Sequence, residues 1–200
     1  MSRRGKKALT GLAFVVVTVI AIIWIWRFYL QWKEDSFDKE ILAAAAYYNV
    51  DPALIKAIIW RESRFNPNAI GRKGEIGLMQ IMPATAKDWA AAEKINSLVF
   101  TDLFNPQKNI MCGTWYVRKL LRRYQSADNP LPYALADYNA GRGNVLKWAK
   151  DAAATNSIAF IGQIGFPSTR EYVIAIVERY RYYRENWMPR VATNQTNLNR

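Results

Sequence analysis

Apolar positions fall along this chain in two different ways. From Ala8 to Trp26, nineteen residues pass without a charge, enough for one helix to cross roughly 30 Å of hydrocarbon. From about residue 34 to residue 187, apolar residues instead recur at spacings of three and four, with no run of alternating β-branched residues. That period belongs to amphipathic helices packing one face inward. The pattern predicts an all-α protein with a membrane-spanning helix over residues 8–26 followed by one helical domain.

Helix starts are marked by polar caps and by proline in the first turn. "SFDKEILAAAAYYN" is predicted to start from Ser36 or Asp38, "DPALIKAIIWRES" from Asp51 with Pro52, "MPATAKDWAAAEK" from Pro83, and "NPQKNIMCGTWYVRKLLRRY" from Asn105 and Pro106. The last carries an apolar stripe through Ile110, Val117, Leu120 and Leu121. After the turn-rich "SADNPLP" come "PYALADYNAG", "NVLKWAKDAA" and a final helix near twenty residues, "STREYVIAIVERYRYYRENW". Tyr172, Val173, Ile176, Val177 and Tyr180 are its expected core positions. The organisation read from this is a basic end and anchor at 1–33, a domain at 34–188, and a polar, aperiodic tail at 189–200 expected to be disordered.

Charge sharpens the topology. The formal net charge is +12, from 28 Lys/Arg against 16 Asp/Glu, but residues 1–33 hold six of the basic residues and no acid. Arg3, Arg4, Lys6 and Lys7 precede the apolar span, and such charge normally stays on the cytoplasmic side. The domain after residue 33 is thus expected on the far side of a cytoplasmic membrane, facing the periplasm or cell wall. Trp24, Trp26, Tyr29 and Trp32 are placed as an interfacial aromatic belt. A cleaved secretory signal would have a shorter apolar core and a small-residue cleavage site, which "WIWRFYLQWKED" does not offer.

The chain has no histidine and one cysteine, Cys112. An internal disulfide, a His/Cys zinc site and Ser-His or Cys-His catalysis are therefore excluded; no metal and no cofactor is expected. Chemistry must come from carboxylates, hydroxyls, amides or Lys/Arg. Glu62 follows Ile55, Ile58 and Ile59 by seven, four and three residues, which puts it on the apolar side of its helix. Burial raises a carboxyl pKa toward the range a general acid needs; a structural glutamate paired with an arginine or a loop amide fits the same position. "GRKGEIGLMQ" sets Gly71, Gly74 and Gly77 in a loop able to approach a ligand closely, ending at Gln80, whose amide can bond a sugar hydroxyl or N-acetyl group. "ADYNAG" places Tyr138 and Asn139 at a helix end.

Taken together, "RESRFNPNA", "GLMQIMPATA", "FNPQKNI" with "GTWYVRKLL", "ALADYNAG" and "STREYV" make residues 40–187 resemble the catalytic domain of lytic transglycosylases of glycoside hydrolase family 23, the goose-type-lysozyme-like group. The resemblance implies a lysozyme-like α-helical fold with a groove for a peptidoglycan glycan strand. It implies Glu62 as the sole catalytic acid and base, and Ser63 as a residue orienting the N-acetyl group or the glutamate. It implies Gly77, Leu78, Met79 and Gln80 as the groove-lining loop, and Tyr138 and Asn139 as groups near the acid. The chain departs from the family in having Ser168 where a glutamate usually precedes Thr-Arg, which leaves the polar support of Tyr138 open. It also has Gly71 and Glu75 where many relatives have Ser and Ala. Glu75 is a candidate second carboxylate able to hold a water.

The implied reaction is cleavage of the β-1,4 bond between N-acetylmuramic acid and N-acetylglucosamine without water, leaving 1,6-anhydro-muramoyl ends. The alternatives are a muramidase, in which Glu75 or Asp137 activates water, and a membrane-anchored cell-wall binding protein that does not cut. Trp60, Trp89, Trp115 and Trp148 are candidates for stacking on sugars, though aromatics at helical spacing also build cores. The partners expected are peptidoglycan glycan strands and, through residues 8–26, a membrane, with cell-wall synthesis or secretion machinery as further candidates. No nucleic acid is expected, because no recognised motif accompanies the charge.

Overall fold

The computed structural model describes residues 3–188, 190 and 191. They form two compact units, Met1–Phe37 and Asp38–Arg200. The first is one helix, α1 (Arg3–Asp35), which contains the predicted span and carries on through the aromatic residues after it. Phe14, Val17, Ile22, Ile25 and Phe28 stand exposed on it. Its most apolar stretch has a mean hydropathy of 1.9, and by length and composition the helix can cross a membrane.

The second unit is helical, and its described residues form no named strand, only the isolated bridges Ile70–Ile76 and Ile76–Ile81. The helices are α2 (Asp38–Tyr48), α3 (Pro52–Ser63), α4 (Pro83–Ala92), α5 (Pro106–Arg123), α6 (Leu131–Ala140), α7 (Arg142–Trp148), α8 (Ser157–Gln163) and α9 (Pro167–Asn186). At the centre is α3. Every residue from Ala53 to Ile59 is buried, as befits a helix apolar all round but for Lys56, and α9 packs along it. Around that pair, α2 packs on α3 and α5, and α6 joins α5 to α9. The cap is doubly tied: Asp51 accepts from Ala53 N (2.9 Å) with one carboxylate oxygen and from the Tyr180 hydroxyl (2.8 Å) with the other.

Lys56 lies inside this core, fully buried. Its ammonium pairs with Asp38 and sits 4.3 Å from the Trp187 ring centre, and Trp187 Nε1 donates to the other Asp38 oxygen at 2.8 Å. A buried lysine is tolerated when paired in this way; here it joins the start of α2, the middle of α3 and the residue after α9.

The loop between α3 and α4 is held from behind by Asn109 of α5, also fully buried. Asn109 Nδ2 donates to Ile76 O (3.0 Å) and Leu103 O (2.8 Å), and its Oδ1 accepts from Met79 N (2.8 Å). Gly77 is required beneath it: with φ +78°, a Cβ there would stand 2.1 Å from Asn109 Nδ2 and 2.6 Å from Leu103 O.

Three departures from the periodicity have tertiary causes. The run "NVLKWAKDAA" stops as α-helix at Trp148 and resumes as a 3₁₀ turn, Asp151–Ala154, whose Ala153 carbonyl accepts from the buried Tyr133 hydroxyl (2.8 Å). Next comes the unanticipated α8, anchored by Ser157 N donating to Asp128 Oδ1 at 2.9 Å. On α9, Val177 and Tyr180 are only half-buried, and Tyr183 takes the core position instead. The expected tail, 189–200, lies outside the described residues apart from Arg190 and Val191.

Asn109→Ala leaves three backbone groups without their buried partner. It should lower unfolding stability by about 3 kcal/mol, read as a drop in the urea midpoint at constant m-value.

Candidate active site

The last turn of α3 delivers Glu62 to the edge of the core, and the chain then turns sharply. Arg64 (φ 52°) and Phe65 (φ 58°) both adopt left-handed conformations, which cost non-glycine residues on the order of 1 kcal/mol each. Packing holds them: the Arg64 guanidinium lies 3.7 Å from the Trp60 ring centre and Phe65 is buried. The loop beyond them folds back, with Gly77 N donating to Ala69 O (2.9 Å) and Ile76 and Ile81 exchanging backbone bonds. It ends at Gln80, itself left-handed (φ 48°). Together with the end of α6 and the start of α9, this loop encloses a groove of about 660 Å³.

Glu62, Glu75, Gln80, Tyr138 and Asn139 all line that groove. Ser63, Gly77, Leu78 and Met79 are not among its lining residues. Ser63 Oγ turns back to Ile59 O at 3.4 Å. Leu78 and Met79 are fully buried, so they back the wall, and the Met79 carbonyl accepts the Tyr138 hydroxyl at 2.7 Å. Tyr138 therefore has polar support that does not involve position 168. Gln80 donates through Nε2 to Gly77 O (2.8 Å) and Ala69 O (3.3 Å), leaving Oε1 as the acceptor for a ligand. Asn139 Oδ1 accepts from the Thr169 hydroxyl (2.8 Å), leaving its amide N–H groups as donors.

Glu62 Oε1 accepts a hydrogen bond from the Tyr172 hydroxyl at 2.5 Å. Burial raises the Glu62 pKa from 4.5 to about 7, opposed by the Tyr172 bond and the Arg61 charge and assisted by the charge of Glu75. Desolvation outweighs both opposing effects because carboxylate solvation is lost on burial. Burial, with the Glu62 charge behind it, pushes the phenols of Tyr138 and Tyr172 well above their ordinary value, so both act as O–H donors.

Of the two carboxylates considered for activating water, only Glu75 reaches the groove. Asp137 is buried, bound by Arg123 Nη1 (2.5 Å) and the Tyr124 hydroxyl (2.7 Å), and is absent from the groove lining. The tryptophans Trp60, Trp89, Trp115 and Trp148 do not line it either. Trp89 and Trp148 are core residues, the first donating to the Tyr48 hydroxyl at 3.0 Å. Cys112 is buried and its thiol is pushed up to about 12 by burial, an unreactive core group.

Tyr172 is the site residue that periodicity misplaced. Its spacing on α9 reads as core, and its ring is indeed buried, but its hydroxyl ends on the carboxyl of a residue 110 positions earlier. The only sequence signal was its place in "STREYV". Phe166, Asn144, Arg61, Arg72 and Lys73 also line the groove and carried no local signal.

The site is thus a groove in a helical domain, lined by two partly buried glutamates of which Glu62 holds its proton near neutrality. The chain belongs to the transglycosylase SLT domain family, whose model matches residues 39–161. It is 35% identical over 138 residues to the soluble lytic murein transglycosylase of Salmonella typhimurium, covering 68% of this chain and 21% of that protein. It is 39% identical over 125 residues to the membrane-bound lytic murein transglycosylase C of Edwardsiella ictaluri, covering 60% and 35%. Among solved structures, an inactive mutant of the lytic transglycosylase Slt from Pseudomonas aeruginosa matches with a TM-score of 0.68 at 28% identity, over 76% of this chain and 24% of that one. The chain thus spans about a fifth to a third of the length of the relatives it matches.

The raised Glu62 pKa has a thermodynamic sign. Between about pH 4.5 and about pH 7 the unfolded chain releases this proton and the folded chain keeps it, so stability falls as pH rises through that window and then levels. Glu62→Gln should match the native chain below the window. Above it, the variant should be more stable by about 2 kcal/mol, less than the whole shift because the carboxyl is partly solvated. Urea titrations across pH measure the difference.

Proposed function

We propose that this protein is a membrane-anchored lytic transglycosylase that cuts the β-1,4 bond between N-acetylmuramic acid and N-acetylglucosamine in peptidoglycan. The observation that carries the reading is the Glu62 carboxyl, poised near neutrality at the groove and held by the Tyr172 hydroxyl. An acid that must later serve as base needs a pKa close to the working pH.

In the first step, the protonated Glu62 gives its proton to the oxygen linking the two sugars. The bond from that oxygen to the muramoyl C1 breaks, and the N-acetylglucosamine side leaves as a neutral alcohol. The substrate's acetamido group stabilises the positive C1. In the second step, the muramoyl C6 hydroxyl bonds to C1 and its proton returns to the Glu62 carboxylate, closing the 1,6-anhydro ring. No water is consumed and the enzyme ends as it began. Tyr172 steadies the carboxylate formed between the steps, while Gln80 Oε1 and the Asn139 amide supply an acceptor and a donor for the sugar. Glu62, Ser63, Gly77, Leu78, Met79, Gln80, Tyr138 and Asn139 remain the proposed site set, with Ser63, Gly77, Leu78 and Met79 acting from behind the wall.

A second reading has one observation in its favour. Glu75 lines the same groove and its charge raises the Glu62 pKa, so a muramidase using Glu75 to activate water would have its two carboxylates.

Membrane anchoring through α1 accords with the exposed apolar helix and with the membrane-bound relative. The basic residues before the span support a cytoplasmic amino-terminal side, with the catalytic domain on the periplasmic, cell-wall side.

The test is mass spectrometry of fragments released from purified peptidoglycan by the detergent-solubilised full chain. Products lacking one water, without a reducing end, are expected, and none from Glu62→Gln. Reducing ends that disappear in Glu75→Gln would establish the muramidase, and full activity in Glu62→Gln would overturn both. Tyr172→Phe removes a bond that lowers the Glu62 pKa; kcat should fall about tenfold, and the alkaline limb of the rate profile should move to higher pH.

A further inference from the structure

The groove is charged unevenly. Arg61, Arg72 and Lys73 line it against only two carboxylates, Glu62 and Glu75, and the first of these is half protonated near neutral pH. Arg72 and Lys73 are exposed and have no carboxylate partner among the described residues. Glu75, two residues on, spends one carboxylate oxygen on the Lys73 backbone N–H (2.8 Å). Its side chain fills the space above Gly71, where a Cβ would stand 2.1 Å from the carboxyl carbon. Gly71 N in turn donates to Glu75 O at 2.7 Å, and Gly74 with φ +83° closes the turn. This turn therefore has a defined shape and presents two adjacent cations to the groove. The α9 side is neutral, formed by Ser168, Thr169 and Phe166.

Neutral sugar rings and their hydroxyls need no such pair of cations. A strand that carries carboxylates does, and peptidoglycan carries them on its muramoyl units. We propose that Arg72 and Lys73 form a subsite that binds a carboxylate borne by the muramoyl units and so sets which strands the protein selects. The inference rests on the peptidoglycan reading above and adds the strand's charge to its specificity. Gln80, Asn139 and Asn144 address the neutral sugar, and the Gly71–Glu75 turn addresses the acid. Phe166, 48% exposed and edge-on to Trp148, offers an apolar surface on the α9 side.

Binding is measured first, with detergent-solubilised full-length Glu62→Gln and insoluble peptidoglycan, either untreated or with its carboxylates converted to amides. Amidation should weaken sedimentation with the polymer by about threefold to fivefold, as should Arg72→Gln/Lys73→Gln placed in the same background. In that triple variant amidation should make no further difference, and raised salt should erase the preference. On stem-bearing units the lactyl carboxyl is tied up in the amide to the stem, so the carboxylates there are the stem's; an amidase removes the stem and exposes the lactyl carboxylate in its place. Binding of the stem-free strands that Arg72→Gln/Lys73→Gln weakens extends the subsite to the lactyl carboxylate, and lost binding confines it to the stem peptide. Indifference to amidation, or a triple variant that keeps the preference, overturns the proposal. Turnover by the native chain is then compared with that of Arg72→Gln/Lys73→Gln, where the loss should fall on KM more than on kcat. Absence of 1,6-anhydro products from the native chain would refute the transglycosylase reading alone, because the binding comparison needs no cleavage.

Discussion

Burial of α3 is the constraint on which the rest of the domain depends. A twelve-residue helix whose middle is apolar all round except at Lys56 has to be enclosed, and α2, α5, α6 and α9 are arranged to enclose it or to brace the helices that do. Its one buried cation, Lys56, is met by Asp38 and Trp187, which draws the beginning of the domain and the end of α9 onto the same helix. Enclosure also dictates where Glu62 can be: in the last turn, where the core gives out and the groove begins. The carboxyl is thereby desolvated enough to hold a proton near neutrality and remains open enough to meet a ligand.

The groove is built from the opposite kind of chain. The segment from Arg64 to Met82 has few hydrogen bonds of regular secondary structure, and side chains from elsewhere satisfy its backbone: Asn109 binds the carbonyl of Ile76 and the N–H of Met79, while Tyr138 binds the carbonyl of Met79. Left-handed residues at Arg64, Phe65 and Gln80 store strain beside the candidate acid. Packing against Trp60 and the core, and the Gln80 amide bonds, offset that strain. A loop determined in this way has a defined shape without being regular, which suits a surface that positions polar atoms for the proposed glycan.

Much of this was legible from residue types alone. The starts at Pro52, Pro83 and Pro106 fell where caps and proline predicted them, and the twenty-residue α9 came from its spacing. The candidate acid was visible because a carboxylate at three, four and seven residues from isoleucines is chemically conspicuous. Periodicity misjudged the groups whose role depends on a distant partner. Tyr172 reads as one more apolar position until α9 lies against α3, and Asp137 reads as an available carboxylate until Arg123 and Tyr124 close on it. Leu78 and Met79 stand in a recognisable motif, yet their side chains point into the core and only the Met79 carbonyl serves the site.

The sequence by itself determined the uncharged span inside the first helix, the all-α character of the domain after it, the absence of histidine chemistry and the candidate acid, Glu62. These depend on composition and on periods of three and four, which are local. Only the tertiary structure decided that Tyr172 would hold that glutamate, that Glu75 and not Asp137 would share its groove, and that Arg72 and Lys73 would line the same groove as a neutral Ser168. Those relations join residues up to 110 positions apart, and no local pattern encodes a contact whose geometry exists only once the core helix has been enclosed.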